Sequence, residues 1–97
     1  MSHIVWTPHA AEQLEMVYKF LAEKNEDAAR KALEAIQNHV SLLKTFRNAG
    51  RPCYDLEPEH RELLIPFSNS GYVLLYQVQD EIVYILAIRH QRELGYI

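Results

Sequence analysis

A single cysteine, Cys53, stands among 97 residues, so the chain cannot close a disulfide within itself, and a reducing cytoplasm is the simplest setting. No apolar run approaches the roughly 20 residues that a bilayer-crossing helix needs. The opening MSHIVWTPHA lacks a charged stretch followed by a long apolar one, so no secretion signal is expected either. Glycine is scarce, at 3 residues, and no glycine-rich phosphate loop can be drawn through them. Nor is there a basic excess: 10 Lys and Arg stand against 13 Asp and Glu. The first 48 residues hold six of each sign, and the remainder holds four Arg against seven acids. Proteins that bind nucleic acid directly need a basic face to offset phosphate charge, so that class is not expected here. His3, His9, His39 and His60 show no metal-ligand spacing, and Cys53 has no partner at a zinc interval, so neither metal nor cofactor is implied. Ser68 and Ser70 fall in a turn without a nucleophile-elbow pattern.

What is present is 48% apolar content without low-complexity stretches, which suits a globular chain. At this length a single domain over residues 1–97 is expected, burying about 60–65% of the surface of the unfolded chain. His3–Trp6 is a short β-prone run that stops at Thr7-Pro8, a capping residue followed by the residue best tolerated in a first helical turn. From Pro8 to Lys24, Ala11, Leu14, Val17, Tyr18 and Leu21 recur at helical spacing, with Met16 and Phe20 forming an offset apolar row. Asn25-Glu26-Asp27 interrupts the pattern, with Asn25 suited to end the first helix in a left-handed conformation. A second helix is expected from Asp27 to about Arg47, carrying Ala29, Leu33, Ile36, Val40 and Leu43 on one face with Leu42 and Phe46 beside it. So short a connection predicts an antiparallel helical hairpin.

After a polar loop over Cys53–His60, three strands are predicted at Arg61–Phe67, Tyr72–Val78 and Ile82–His90. Pro66 cannot donate to a ladder, which points to an edge or bulge. The expected fold is α+β: a helical hairpin packed on a mostly antiparallel sheet that ends in a three-stranded meander. The last two strands are apolar on both faces, so a second cover is needed beyond the hairpin, either the C-terminal tail or a partner chain.

The candidate chemistry lies at the end of the last strand, in YILAIRHQRE. Strict alternation puts Arg89 on the face of Val83, Ile85 and Ala87, and His90 on that of Tyr84, Leu86 and Ile88. Arg61, Arg92 and Tyr96 can approach the same end. Three readings stay open on spacing alone. These residues can be a solvated strand end paired with Glu62 and Glu93, a contact patch for another protein, or a metal-free ribonuclease site. In the last case His90 would move protons and Arg61 or Arg89 would stabilise the phosphate.

The ordered set of segments resembles the RelE/ParE toxin superfamily over nearly the whole chain. VWTPHAAEQLEMVYKFLAEKNEDAARKALEAI is similar to its opening helices, and GRP, RELLI and GYVLLYQVQDEIVYILAIRHQRELGY to its closing strands. The resemblance implies a bacterial type II toxin held silent by a cognate, ParD-like antitoxin. RelE-like members cleave mRNA on the ribosome and commonly carry an arginine directly after the Gly-Tyr that opens the middle strand. Here that position is Val73, which cannot stabilise phosphate charge, so the ParE-like branch, which inhibits DNA gyrase by protein contact, is the nearer likeness. That branch implies no catalytic residue, with Arg61, Arg89, His90 and Arg92 as the target-contact region. Met16, Phe20, Leu42 and Phe46 are the expected antitoxin-binding row. The nuclease alternative would engage Arg61, Arg89, His90 and Tyr96. A third possibility is a degenerate relative kept only as a binding module.

Overall fold

The structure is a computed structural model, and it describes residues 2–53, 59–93 and 95–96. The elements run β1 (His3–Trp6), α1 (Pro8–Ala22), α2 (Glu26–Leu42), β2 (Arg51–Pro52), β3 (His60–Phe67), β4 (Ser70–Gln79) and β5 (Ile82–His90). They form one mixed sheet in the order β1-β5-β4-β3-β2, in which only the β1–β5 pair is parallel. Both helices pack on one face. This is the expected hairpin-on-sheet α+β architecture, with β1 added beside the last strand of the meander.

Local chemistry accounts for the helix starts. Thr7 is extended, its hydroxyl accepts from the Ala10 N–H, and Pro8 follows at the first helical position. The same hydroxyl donates to the Ile85 carbonyl at 2.8 Å, which ties the start of α1 to β5. Asn25 serves the second helix and does not end the first. It is extended, and its side-chain oxygen accepts from the Asp27 and Ala28 N–H groups at 2.9 and 3.1 Å. Glu26 and Asp27 then place negative charge at the positive end of the helix dipole.

Helix α2 ends at Leu42, short of Arg47. The reason lies in the sheet. The buried Tyr76 hydroxyl donates to the Arg47 carbonyl and accepts from the Gly50 N–H, both at 2.8 Å, so the segment after the helix is drawn down to β4. Arg61 fastens the same segment from β3, donating to the Gly50 carbonyl at 2.7 Å and to that of Asn48 at 3.4 Å. A Cβ on Gly50 would stand 2.6 Å from the Glu62 carbonyl oxygen and 2.7 Å from the Tyr76 ring, so only glycine lets the two backbones come this close. The approach creates β2, which the sequence pattern did not predict. It pairs with Arg61 and Glu62 alone and leaves Pro66 where β3 has no outer neighbour from β2.

The core lies between the hairpin and the sheet. Ala10, Ala32, Ile36, Val40 and Leu43 meet Leu63, Ile65, Tyr72, Leu74, Tyr76, Val83, Ile85 and Ile88. On α1 the inward face runs through Ala10, Leu14, Val17 and Leu21, while Ala11 and Tyr18 point to solvent. On β5 the expected alternation is broken. Tyr76 pairs with Ile85 but Leu75 pairs with Ala87, so Leu86 is an extra residue and the strand changes phase there. Arg89 therefore lies opposite Val83 and Ile85, sharing the helix-free face with Ala87 and Val73. His90 shares the helix-covered face with Val83, Ile85 and Ile88. A uniform period of two predicted Arg89 with Ala87 and His90 with Ile88, as found, but the reverse relation of both to Val83 and Ile85, because a bulge adds a residue without adding a partner.

Candidate functional site

The phase change splits the basic cluster between two faces. On the helix-free face, Arg89 is the cross-strand neighbour of Val73, which is 2% exposed. The guanidinium donates to the Glu93 carbonyl at 2.7 Å, and more weakly to those of His90 and Gln91. It sits 3.8 Å from the Glu62 carboxylate and stacks over the Tyr96 ring, 5.0 Å from its centroid. The Tyr96 hydroxyl donates to the same Glu62 carboxylate, whose other oxygen meets Arg51 at 3.3 Å. Burial pushes the Tyr96 phenol far above its ordinary range, reinforced by the Glu62 carboxylate that it donates to. The side chains of Glu62 and Arg89 are only 12% and 15% exposed, so the pair is screened little by solvent. The cover expected over this face is thus supplied in part by the C-terminal segment, held by Arg89 and Tyr96. The pairing of Arg89 with Glu62 is the structural reading left open by the sequence.

On the helix-covered face, His90 ends β5 against Tyr72, edge to face, with ring centroids 5.7 Å apart. Its Nδ1 accepts from the Arg92 N–H at 3.1 Å, so the ring proton resides on Nε2, which donates to the Ser70 hydroxyl at 3.0 Å. In that arrangement the imidazole has no lone pair to offer as a base and does not activate the serine. Its Nδ1 maintains the turn that follows β5, and its Nε2 ties that turn to the start of β4.

His90 also borders a groove of about 870 Å3 between α1 and the end of the sheet. One wall is the α1 row Gln13, Met16, Val17, Phe20 and Leu21, spaced three and four residues apart as one face of a helix requires. The facing wall is Phe67, Tyr72 and Ile88, and Arg92 and Glu93 close one end. Met16 is 68% and Phe20 59% exposed, large apolar side chains turned to water beside an apolar groove.

The predicted residues are therefore dispersed. Met16, Phe20, His90 and Arg92 share the groove. Leu42, 49% exposed, ends α2 about 21 Å along the helix from Ala28 beside the groove, and Phe46, 61% exposed, lies just past that end. Arg89 and Tyr96 belong to the opposite face, and Arg61 is engaged with the Asn48–Gly50 carbonyls. The sequence reading passed over Gln13, whose side-chain oxygen accepts from the Ile88 N–H at 2.9 Å. A polar residue interrupting the row of Val17 and Leu21 was the available signal. Among the described residues no group of His, Cys, Asp and Glu is arranged to hold a metal ion, and no helix is long and apolar enough to cross a membrane.

The family described as ParE toxin of the type II toxin-antitoxin system parDE matches residues 4–95. Toxin RelE3 of Caulobacter vibrioides is 30% identical over 93 residues, which span 96% of this chain and 98% of that protein. Among solved structures, a chain of the chromosomal ParDE system from P. aeruginosa superposes with a TM-score of 0.73 at 24% identity, covering 93% of this chain and 96% of its own. At that identity the likeness is one of fold.

Proposed function

The chain belongs to the ParE toxin family of type II toxin-antitoxin systems, and from that premise we propose that it acts on DNA gyrase by protein contact and is silenced by a cognate antitoxin. The observation that carries this reading is the state of the helix-free face. Where the resemblance places an arginine in RelE-like members stands Val73, and the neighbouring Arg89 is committed to Glu62 and to the carbonyls of the C-terminal turn. A phosphate placed there would meet the Glu62 carboxylate, a like charge in a mostly buried setting, and His90 lies on the far side of the sheet. Metal-free RNA cleavage needs a cation, a base and an acid around one phosphate, and of the four residues that the nuclease alternative would engage, His90 and Arg61 stand apart from Arg89 and Tyr96.

In this reading the active element is a surface. Arg92, exposed on the turn after β5, makes the target contact, and an exposed guanidinium is well suited to a contact hot spot. His90 and Arg89 hold that turn in shape, and Arg61 holds the Asn48–Gly50 segment. The antitoxin lays apolar side chains along the Met16 and Phe20 groove. Leu42 and Phe46 form a second anchor at the other end of the hairpin, which an arm wrapping the toxin would reach.

The deciding experiment runs purified gyrase supercoiling beside a ribosome-primed RNA cleavage assay. The expected result is inhibited supercoiling with intact RNA, and Arg92→Ala weakening the inhibition at least tenfold. The second reading, a ribosome-dependent endonuclease, draws on the RelE3 relative and on Arg89 and Tyr96 sharing one face. Transcript cleavage that His90→Ala abolishes, with supercoiling unaltered, would establish it instead.

A further inference from the structure

The groove borders a strand edge as well as apolar side chains. Strand β1 pairs with β5 only from Ile82 to Ile85, whereas β5 continues to His90. Past the bulge, alternate N–H groups of β5 turn away from β4: Gln91 donates inward to the Gly71 carbonyl, so Ile88 and His90 donate outward. Neither outward group meets a backbone carbonyl. The Ile88 N–H is capped by the side-chain oxygen of Gln13 at 2.9 Å, and the His90 N–H by the carboxylate of Glu93 at 3.0 Å. Two side chains from different parts of the chain thus stand where a neighbouring strand would place its carbonyls, and all four residues line the groove. Exposed edge donors invite strand addition, and side-chain caps of this kind suppress it until a competing backbone arrives.

We propose that the antitoxin segment entering this groove binds as an extended strand added to the free edge of β5, displacing the Gln13 and Glu93 side chains. The proposal rests on the reading that the antitoxin occupies this groove. Main-chain pairing with Ile88 and His90 supplies the register, and alternate side chains of the segment fall toward Met16, Val17 and Phe20. Displacing Glu93 leaves two rim carboxylates, Glu12 and Glu93, against the guanidinium of Arg92. The segment therefore carries a basic side chain at that end.

The test uses the toxin with its cognate antitoxin, whose toxin-binding arm is delimited by proteolysis of the complex and then synthesised with single N-methyl groups. N-methylation at alternate positions should weaken binding at least tenfold while the intervening positions tolerate it. Amide exchange at Ile88 and His90 should slow on binding, and the double variant Gln13→Ala/Glu93→Ala should bind at least as tightly as the native toxin. If the arm perturbs Met16 and Phe20 but leaves the Ile88 and His90 amides unchanged, or if every N-methyl position is equally damaging, strand addition is wrong and the groove holds a helix. An arm that perturbs none of these residues removes the docking reading as well.

Discussion

At the scale of single residues, this protein's polar side chains near the chain end are occupied in holding backbone. Arg61, Arg89 and both nitrogens of His90 serve carbonyls, a carboxylate, a hydroxyl or an N–H of the chain itself. A residue type that suits catalysis is therefore no guide until its partners are known. Glu62 is the pivot of the helix-free face, since Arg51, Arg89 and Tyr96 all converge on it. Gly50 is the corresponding point beside the core, where its N–H meets the Tyr76 hydroxyl. A methyl group there would have to push against the Glu62 backbone and the Tyr76 ring, neither of which can yield cheaply. Gly50→Ala is expected to cost about 2–3 kcal/mol through overpacking and loss of the hydrogen bond. In thermal melts this should read as a fall in Tm of about 10–20 °C.

Among the elements, α2 illustrates how caps and tertiary pulls divide the work. Its start is local: Asn25 supplies an oxygen to two orphan N–H groups, and the acids that follow suit the helix dipole. Asn25→Ala should destabilise the fold by about 1 kcal/mol while Asn25→Asp remains near neutral, measured as shifts in urea midpoint at constant slope. Its end is non-local, because Tyr76 competes for the carbonyl of Arg47 and the N–H of Gly50. The bulge at Leu86 is likewise an event of pairing: β4 aligns Leu75 with Ala87 and Tyr76 with Ile85, and no turn or glycine in IVYILAIRH announces the slip.

For the molecule as a whole, three phenols among the described residues are held above their ordinary range. Burial raises Tyr72 and Tyr76, and at Tyr96 burial is joined by the Glu62 carboxylate. The folded chain keeps these protons at a pH where the unfolded chain, near its ordinary value of about 10, has begun to lose them. Their contribution to stability is therefore complete below pH about 10 and is lost as pH rises beyond it. Chemical-denaturation midpoints taken from pH 8 to about 11.5 should fall steeply in the upper part of that range. Tyr96→Phe should flatten the decline, since it removes the phenol nearest a carboxylate. An equally steep decline in that variant would mean that Tyr96 ionises freely and does not clasp Glu62.

The amino-acid order by itself determined the helical hairpin, the three-stranded meander and the α+β class, because Thr7-Pro8, Asn25 with its acids, and the apolar periods act within a few residues of one another. It also placed Val73 after Gly71-Tyr72, a matter of reading alone. Only the tertiary structure decided which face each basic residue takes, which guanidiniums are already engaged, and that Met16 and Phe20 stand apart from Leu42 and Phe46. Those outcomes turn on one unpaired residue in β5, one tyrosine that shortens a helix, and one carboxylate shared across the sheet. Each is a contact between distant positions, for which local pattern carries no signal.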